Sequence, residues 1–482
     1  MRRLLLAGLA GMALAACGTT VPLAQQSGSQ QSAKLGGSGD GSTTAQAPGS
    51  TTGTSATTSQ PLSSGPNGQP ATASGSTPVV AGGRPVPLHV ASHAPIEVGV
   101  IVPNTDAGQA FGNAFGTAVV TGDVPGMARA MAADVNTRGG FGGHRVSPVF
   151  YQRCLGCDLA QEDQQICSTF TQDHHVVVVV DNTETSFALA TCLGQHGVAV
   201  LGGGVAVFGD KEFRSARSFW TEYGMSADTV FANLVDRLQQ QGWFGHEKVG
   251  LIVSEAQPTF ARIAVAVKAQ LARLGHTVQA EGSMPNAPNG SSAAAGIVLK
   301  FKATGITRVV ILDSGSGVML QLAPQEASQD YYPEVSVTSL DVLGTSAGLI
   351  PAKAYDGAAG IGWQPIGDGA PNRPAQNATE KHCRAVFQHA QVQLSSGLAE
   401  TEGLAMCDSF LFGQAGYARA AGVALEDLRT GISSLGTGYL PASTFLDRFG
   451  PGVYGGAAEV RGVAYDSGCT CFRYTGPPET VT

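Results

Sequence analysis

Five consecutive valines, Val176 to Val180, form the stretch that most restricts the fold of this chain. A strand with one solvated face alternates apolar and polar residues, whereas an unbroken β-branched run suits a strand buried on both faces, as in a parallel sheet covered by helices. A buried helix is the alternative, but a short run of valine alone favours a strand. Polar residues from Asp181 to Ser186 follow directly. Because ligands in open α/β sheets bind beyond the carboxyl ends of strands, we predict a core strand that leads into a binding loop.

Strand-like and helix-like stretches alternate along the rest of the folded region. Segments such as Ile96–Val102 predict further strands, and the segments between them show helical spacing of apolar residues, as in Asp228–Gln241. The pattern restarts near Ser218. Strands that alternate with helices build parallel βαβ units. The sequence therefore predicts an α/β protein with two such units.

The amino terminus predicts a cleaved export signal over residues 1–16. Arg2-Arg3 precede the uncharged run Leu4–Ala16, which is shorter than the roughly 18 apolar residues that a membrane-spanning helix needs. A basic start, an apolar middle and small residues at the end are typical of a secretory signal. The end, Leu14-Ala15-Ala16-Cys17, resembles the lipobox of bacterial lipoproteins, which implies cleavage before Cys17 and a lipid on its sulfur. An unlipidated secreted protein is the alternative.

Residues 17–93 predict a disordered linker that begins at the lipid anchor. Gly, Ser, Thr, Ala, Gln and Pro dominate, and such a segment cannot bury enough surface to fold. A flexible chain of this length has an end-to-end distance of about 50 Å, so it would hold the folded body away from the membrane. About 390 residues follow, enough for two domains with cores of their own. The net charge of -8 and the pI of 5.7 argue against nucleic acid as a partner.

Nine cysteines are present, and lipidation of Cys17 leaves an even eight in an oxidising compartment. The motif Cys154-Leu155-Gly156-Cys157 has the spacing of a redox or metal pair. Cys167 and Cys192 follow one helix and one βα unit later, which favours structural disulfides and leaves thiol redox and metal binding as alternatives. The expected pairs are Cys154–Cys192, Cys157–Cys167, Cys383–Cys407 and Cys469–Cys471.

Motifs for catalysis and nucleotide binding are missing from the sequence. There is no Gly-x-Ser-x-Gly elbow, no His-Glu-x-x-His and no P-loop. Ser314-Gly315-Ser316-Gly317 is only a Gly/Ser turn. His174-His175 precede the valine strand at its amino end, away from the expected binding edge, where surface histidines are more common than metal ligands. We therefore expect neither enzymatic activity nor a cofactor or metal.

The stretch Ala133–Val146 carries a family resemblance. It contains an Asn, a small residue, the pair Gly139-Gly140 and a further glycine before a strand, which is similar to the helix end and turn of Leu/Ile/Val-type periplasmic binding proteins. A glycine C-cap followed by a tight return into a strand explains the pattern. The position of the motif after the first strand, the order of elements and the lipoprotein signal agree with the resemblance.

The resemblance implies two doubly wound, Rossmann-like α/β lobes joined by three hinge crossings, with a ligand held between them. The first lobe would comprise residues 95–223 and 356–438, and the second lobe residues 224–355 and 439–476. The crossings would lie near Glu222-Tyr223, Tyr355-Asp356 and Gly438-Tyr439.

The ends of the predicted strands select the candidate ligand-binding residues. Helices start after several of these ends, so free backbone N–H groups there favour a carboxylate. The candidates are Asn104, Thr105, Thr183, Thr185, Ser186, Gly203 and Gly204 in the first lobe, and Phe260, Ser316 and Asp341 in the second. Thr183, Thr185 and Ser186 are also good N-caps, which is their alternative role.

The resemblance gives Asp341 a specific role. Amino-acid binders of this family use an acidic residue at the corresponding strand end to hold the α-ammonium, and each charge then offsets the desolvation of the other. Asp313 competes for the role, and a solvated turn is the alternative for Asp341. The loop Gly202–Val205 lacks the hydroxyl residues that grip the α-carboxylate in the family. Phe260 is the best candidate for an aromatic cover over the ligand.

Together these features imply a lipid-anchored extracytoplasmic protein that captures a small polar molecule for an ABC transporter. The expected ligand is an amino acid, an amide or a small carboxylate, and the expected partners are a permease and the membrane, through the lipid on Cys17. The alternative is a non-transport envelope scaffold or sensor with the same fold, which the Gly-rich insert Asp106–Gly122 and the altered carboxylate loop favour.

Overall fold

A computed structural model describes residues 93–104, 121–154, 157–183, 185–202, 208–285 and 290–481. The predicted signal peptide, Cys17 and almost all of the predicted linker lie outside these residues. Within them, none of the helices combines the length and the apolar character needed to cross a membrane.

Strands and helices alternate through most of this region, as the sequence predicts. The strands are β1 (His93–Val102), β2 (His144–Gln152), β3 (Val178–Asp181), β4 (Ala199–Gly202), β5 (Phe219–Trp220), β6 (Val249–Ser254), β7 (Val278–Met284), β8 (Arg308–Leu312), β9 (Glu334–Thr338), β10 (Ala359–Gly362), β11 (Glu459–Asp466) and β12 (Cys471–Thr480). The α-helices are α1 (Val124–Thr137), α2 (Leu159–Ser168), α3 (Phe187–Gln195), α4 (Asp210–Ala216), α5 (Ala227–Gln240), α6 (Pro258–Arg273), α7 (Gly290–Thr304), α8 (Gly317–Gln329), α9 (Leu343–Leu349), α10 (Ala378–His389), α11 (Gly397–Tyr417) and α12 (Leu425–Ser433).

The strands form two sheets, one in each lobe. The first is five-stranded, in the order β2-β1-β3-β4-β5, and its described pairs are parallel. The second is seven-stranded, in the order β12-β11-β10-β9-β8-β6-β7, and only its β11 and β12 pairings are antiparallel. Helices follow most strands and cover the sheets. The prediction of an α/β protein with two doubly wound lobes is confirmed.

The valine run supplies the central strand of the first sheet. Val178, Val179 and Val180 are fully buried in β3, which pairs with β1 on one side and β4 on the other. Both faces are therefore covered, as the unbroken apolar run predicts. The strand ends at Asp181, so the polar loop begins at the carboxyl edge of the sheet.

The motif after α1 joins this helix to β2. Gly139 and Gly140 have φ angles of 96° and 64°, a conformation that glycine adopts without a steric penalty. Asn136 contacts the next strand with both ends of its amide: its Nδ2 donates to the Val146 oxygen at 2.9 Å, and its Oδ1 accepts from the Val146 nitrogen at 2.7 Å. The asparagine and the glycines thus determine together where the second strand begins.

Two of the three crossings lie later in the chain than the resemblance implied. The first crossing follows β5 of the first sheet and precedes β6 of the second. The predicted second crossing at Tyr355-Asp356 comes too early, because β10 pairs with β9 and β11 in the second sheet. Gly360 permits this close pairing, since a Cβ atom there would lie 1.7 Å from the Val337 oxygen. Helices α10 to α12 then pack into the first-lobe core.

The third crossing also differs from the prediction at Gly438-Tyr439. The aromatic side chains of Tyr439, Phe449 and Tyr454 pack into the first-lobe core, so these residues belong to the first lobe, although Phe445 between them packs against the second-lobe core. The return to the second lobe comes near Ala457, which packs in a second-lobe core cluster. Burial of the large aromatic side chains accounts for the later boundary.

Four disulfides are present among the described residues, and two match the expected pairs. Cys383–Cys407 joins α10 to α11, and Cys469–Cys471 bridges the turn between β11 and β12. The other two predicted pairs are wrong, because the partners are Cys154–Cys157 and Cys167–Cys192. Helices α2 and α3 pack side by side and bring Cys167 close to Cys192. Cys154 and Cys157 therefore bond to each other, within the connection between β2 and α2.

Two of these bridges tie helices together across 24 or 25 residues of sequence. Closing loops of that size stabilises the fold by about 3–4 kcal/mol each in the chain-entropy treatment. His196 lies close enough to the sulfurs of Cys167 and Cys192 to complete a metal-sized cluster. The two sulfurs are bonded to each other, however, and a metal needs thiolates.

Candidate ligand-binding cleft

The carboxyl edges of the two sheets meet the hinge crossings, and the space between these edges is here called the cleft. Trp363 and Gln364 follow β10, and their Nε1 and Nε2 atoms donate to the Tyr223 oxygen at 3.2 and 2.9 Å. The end of a second-lobe strand thereby contacts the first crossing. Of the predicted site residues, Thr105, Gly203 and Gly204 lie outside the described residues.

The polar loop after β3 is organised by Asp181. This carboxylate is fully buried and accepts hydrogen bonds from the Thr183 nitrogen at 2.7 Å, the Thr183 hydroxyl at 2.6 Å and the Thr185 hydroxyl at 2.5 Å. A side-chain acceptor bonded to the amide two residues later is an Asx-turn. The two predicted hydroxyls therefore donate within the lobe.

Arg153, which the sequence pattern did not single out, joins this loop to helix α2. Its Nε donates to the Thr183 hydroxyl at 2.9 Å, and its Nη1 donates to Asp163 at 3.2 Å and to Glu162 at 3.3 Å. Burial lowers the pKa of Arg153, but Asp181, Asp163 and Glu162 outweigh that effect and raise it. The only available signal was a lone arginine at the end of the predicted second strand.

Ser186 acts as the N-cap of α3. Its hydroxyl oxygen accepts from the Leu189 nitrogen at 2.9 Å, and its hydroxyl hydrogen is donated to Asp163. The capping role given as its alternative is therefore present. Asn104 follows β1, which lies between β2 and β3, and so shares this edge with Thr183.

Asp341 lies at the carboxyl edge of the second sheet, as predicted. It is half-buried, and its Oδ2 accepts from the Thr338 nitrogen at 2.8 Å in a capping box. Burial raises the pKa of Asp341 well above its usual value, and the nearby carboxylates of Asp313 and Asp368 raise it further. An anion in this position is costly unless a cation or a strong donor joins it.

Asp313 and Asp368 are more deeply buried than Asp341. Asp313 accepts from the Val318 nitrogen at 2.7 Å, and Asp368 accepts from the Tyr474 hydroxyl at 2.5 Å. Burial raises the pKa of Asp368 to about 7, and its Oδ1 has no hydrogen-bond partner among the residues that the structure describes. No salt bridge joins any of the three carboxylates to another described residue. Sequence reasoning found Asp341 and Asp313 by their strand ends but missed Asp368, which follows a strand assigned to the wrong lobe.

Ser316 and Phe260 are buried, and both contact other residues of the second lobe. Ser316 is 3 % exposed and donates its hydroxyl to the Asp341 backbone oxygen, so it orients that loop. Phe260 is fully buried in a second-lobe core cluster, where its ring meets Phe231 edge-on at a centroid distance of 5.7 Å. Phe260 therefore cannot cover a ligand, because the first turn of α6 directs its side chain inward.

A second group of buried acids lies at the first crossing. Glu222 is fully buried, its Oε1 accepts from the Ser409 hydroxyl, and its Oε2 has no partner among the described residues. Burial raises the pKa of Glu222 to about 8. Asp408 accepts from the Tyr439 hydroxyl at 2.8 Å, and burial raises its pKa to about 6. Their sequence positions gave no signal, because each depends on packing between distant segments.

The strand order and the chain crossings define a class of protein, the type I periplasmic binding proteins. The chain belongs to the periplasmic binding protein family, whose model matches residues 95–407, well over half of the sequence. The prediction of this family from the Ala133–Val146 motif is confirmed. Comparison of the sequence with curated proteins gives no match.

Solved structures share the fold at low sequence identity. A solute-binding protein of an ABC transporter from R. palustris, in complex with 4-hydroxybenzoate, is 13% identical over 81% of this chain and 98% of its own, with a TM-score of 0.61. An ABC transporter substrate-binding protein from Desulfitobacterium hafniense, in complex with Leu, is 14% identical over 80% and 100%, with a TM-score of 0.55. A substrate-binding protein from Aeropyrum pernix is 14% identical over 81% and 97%, with a TM-score of 0.60.

Proposed function

We propose that this protein is a lipid-anchored, extracytoplasmic solute-binding protein that delivers a small polar molecule to an ABC transporter. The single observation that carries the proposal is the half-buried Asp341 carboxylate at the cleft edge, flanked by Asp313 and Asp368 and joined by no salt bridge within the described residues. A ligand with an ammonium or amide group would offset the cost of that negative charge. This favours an amino acid or an amide as the ligand over a small carboxylate that has no N–H hydrogen-bond donor.

The first lobe would receive the opposite end of the ligand. Thr183, Thr185 and Ser186 donate their hydroxyl hydrogens to buried carboxylates, so the remaining capacity of these hydroxyls is to accept. Arg153 supplies the positive charge at this edge, with a side chain that is 12% exposed. Because Asp181, Asp163 and Glu162 already neutralise Arg153, we infer that backbone amides at this edge attract the carbonyl or anionic group. Asn104, Thr105, Gly203 and Gly204 remain candidates at the same edge.

Anchoring and delivery form the rest of the proposal. The lipobox-like end of the signal supports a lipid on Cys17, and the 17–93 segment supports a spacer between the membrane and the lobes. The permease partner is inferred from the family, as is an extracytoplasmic location. Solute-binding proteins need no catalytic group, in agreement with the missing motifs.

A non-transport scaffold or sensor remains the second candidate. It is favoured by the internal use of the Thr183, Thr185 and Ser186 hydroxyls, which leaves fewer free donors for a ligand than the strand ends predicted. Adjacent permease and ATPase genes would favour transport instead. A binding screen separates the two functions directly.

A thermal-shift screen across amino acids, amides and small carboxylates tests the proposal. A ligand that binds only the folded state raises the melting temperature, by an amount that grows with its concentration relative to Kd. At least one amino acid or amide should do so for the parent protein and less for Asp341→Asn. If no compound of these classes shifts the parent protein, the scaffold function is favoured.

A further inference from the structure

The disulfide between Cys154 and Cys157 is not used by the proposed solute-binding function. The two cysteines are separated by three positions in sequence, and their Cα atoms lie 5.7 Å apart. Both residues are exposed, on the connection from β2 to α2. We propose that this disulfide is a redox-active site that exchanges with an external dithiol, independently of any ligand in the cleft.

The bridges that tie helices together have very different surroundings. Cys383 and Cys407 are fully buried, and Cys167 is 2 % exposed. A thiolate must approach a sulfur atom directly, so it cannot attack the Cys383–Cys407 bridge without opening the core, and it can reach the Cys167–Cys192 bridge only through the half-buried Cys192. They also close loops of 24 and 25 residues, whereas a bridge across three positions restrains the unfolded chain far less. Open access and a small structural contribution both favour exchange at Cys154–Cys157.

The exposed pair lies directly before the amino end of a helix. Asp158 caps α2 by accepting from the Gln161 nitrogen at 3.0 Å, and the helix begins at Leu159, two residues after Cys157. Unpaired N–H groups at a helix amino end favour a thiolate, and Cys-x-x-Cys pairs are a common setting for reactive cysteines. The bridge Cys469–Cys471 lies instead in a turn between two strands, and so it provides an internal comparison.

The proposed exchange is a two-electron reaction. One thiolate of the external dithiol attacks a sulfur of the pair, the Sγ–Sγ bond breaks, and the electron pair leaves on the other cysteine as a thiolate. The second thiolate of the dithiol then displaces the remaining cysteine from the mixed disulfide. The reductant leaves as a disulfide, and its two protons pass through water to the two cysteines. An oxidised dithiol reverses the sequence and restores the bond.

Hydrogen bonds connect this site to the loop after β3. The Cys154 nitrogen donates to Glu162, whose carboxylate also accepts from Arg153 at 3.3 Å. Arg153 in turn donates to Thr183 at 2.9 Å. Opening the bridge removes a restraint on the segment that carries the Cys154 amide, so we expect faster hydrogen exchange at this amide and at Thr183.

Differential alkylation of the folded, full-length protein tests the proposal. The protein carries Cys469→Ser and Cys471→Ser, is treated with dithiothreitol for graded times, and is quenched with iodoacetamide before peptide mass spectrometry. Cys154 and Cys157 should be labelled together, at least tenfold faster than Cys167 and Cys192, with an unchanged circular dichroism spectrum. Equal rates for the two pairs, or labelling only under denaturing conditions, would overturn the proposal.

A second experiment separates a redox site from simple exposure. The substitution Cys154→Ser leaves Cys157 as a free thiol, and Cys471→Ser leaves Cys469 as one. The rates at which these two thiols form mixed disulfides with oxidised glutathione are then compared. Several-fold faster reaction at Cys157 supports the site before the helix, and equal rates contradict it. Hydrogen exchange measured before and after reduction checks the connection to Thr183. Unchanged exchange at the Thr183 amide would rule out this connection.

Discussion

Arg262 of the second lobe lies 3.1 Å from Glu212 of the first, in a salt bridge that joins the two lobes beside the cleft. The same guanidinium is held at 2.5 Å by Asp228 of its own lobe, which also accepts from the Asp210 nitrogen at 2.9 Å. Asp228 thus positions Arg262 and contacts helix α4 directly. The relative positions of the lobes therefore depend on these few charged groups as well as on the crossings.

Glu212→Gln should shift the lobes toward an open arrangement, because it removes the interlobe charge and leaves Arg262–Asp228 intact. Partly exposed ion pairs contribute about 0.2–1 kcal/mol, so the open-to-closed ratio should rise by at most about fivefold. Small-angle X-ray scattering in low salt measures the change in radius of gyration. Glu281→Gln, which breaks the Lys268–Glu281 pair inside the second lobe, is the matched control. Identical scattering from both variants would contradict a role in closure.

Asp341→Asn should weaken the binding of an ammonium-bearing or amide ligand. Losing a charged hydrogen-bond partner costs about 1.5–3 kcal/mol, or about tenfold to a hundredfold in Kd. The ligand-free melting temperature should not fall, because burial already disfavours the charged carboxylate. Calorimetric titration with the best ligand from the screen measures the effect. Asp330→Asn, at an exposed carboxylate, is the control, and equal affinities for the two variants would remove Asp341 from the site.

The free energy of unfolding should fall as the pH rises from about 4 to 8. Burial raises the folded-state pKa of Glu222 to about 8, whereas an unfolded glutamate titrates near pH 4.3. Below both values each state is protonated, and between them only the unfolded state has lost the proton, so ionisation favours unfolding. Asp368, with a pKa raised to about 7, acts in the same direction.

Glu222→Gln tests this pH dependence, because it retains the shape of the side chain without the ionisation. The stability of the variant should fall less steeply with rising pH. At pH 8 its free energy of unfolding should exceed that of the parent by on the order of a few kcal/mol. Denaturant titrations at several pH values measure both slopes. Glu426→Gln, at a side chain that is 74% exposed, should follow the parent. Parallel profiles for Glu222→Gln and the parent would show that Glu222 ionises normally.

Cys17→Ala should release the protein from the membrane fraction or leave the signal uncleaved. The reason is that the proposed lipid would be attached to the cysteine sulfur, and the sequence predicts no second anchor. Fractionation followed by mass spectrometry of the amino terminus measures both outcomes. A control is Ser27→Ala in the linker, which should leave processing and localisation unchanged. A Cys17→Ala protein that is still cleaved and membrane-bound would exclude the lipobox.

Gly360→Ala should destabilise the second lobe strongly, since the added Cβ atom would lie 1.7 Å from the Val337 oxygen and force β10 away from β9. The expected loss is at least about 3 kcal/mol, at the upper end of the effects of overpacking. Gly296→Ala, in the middle of α7 with open space around it, should stabilise by about 0.5–1 kcal/mol. Denaturant unfolding of both variants makes the comparison, and similar stabilities would contradict the pairing of β10 with β9.

Local signals in the sequence predicted most of the architecture. The valine run, the alternation of apolar stretches and the Gly139-Gly140 motif depend on neighbouring residues, so they predicted a buried strand, two α/β units and the family. The strand-end rule placed Asp181–Ser186 and Asp341 at the carboxyl edges for the same reason.

Only the tertiary structure decided what those residues contact. Three features depend on how separate helices and strands pack. They are the Asp181–Thr183–Arg153 hydrogen bonds, the burial of Phe260 and the disulfide pairing of the four cysteines between Cys154 and Cys192. The lobe assignment of β10 likewise depends on strand pairing across distant parts of the chain. Periodicity reports which face of an element is buried, but not which element covers it. For that physical reason the sequence by itself determined the fold class and the edges of the cleft, and three-dimensional packing decided the contacts within it.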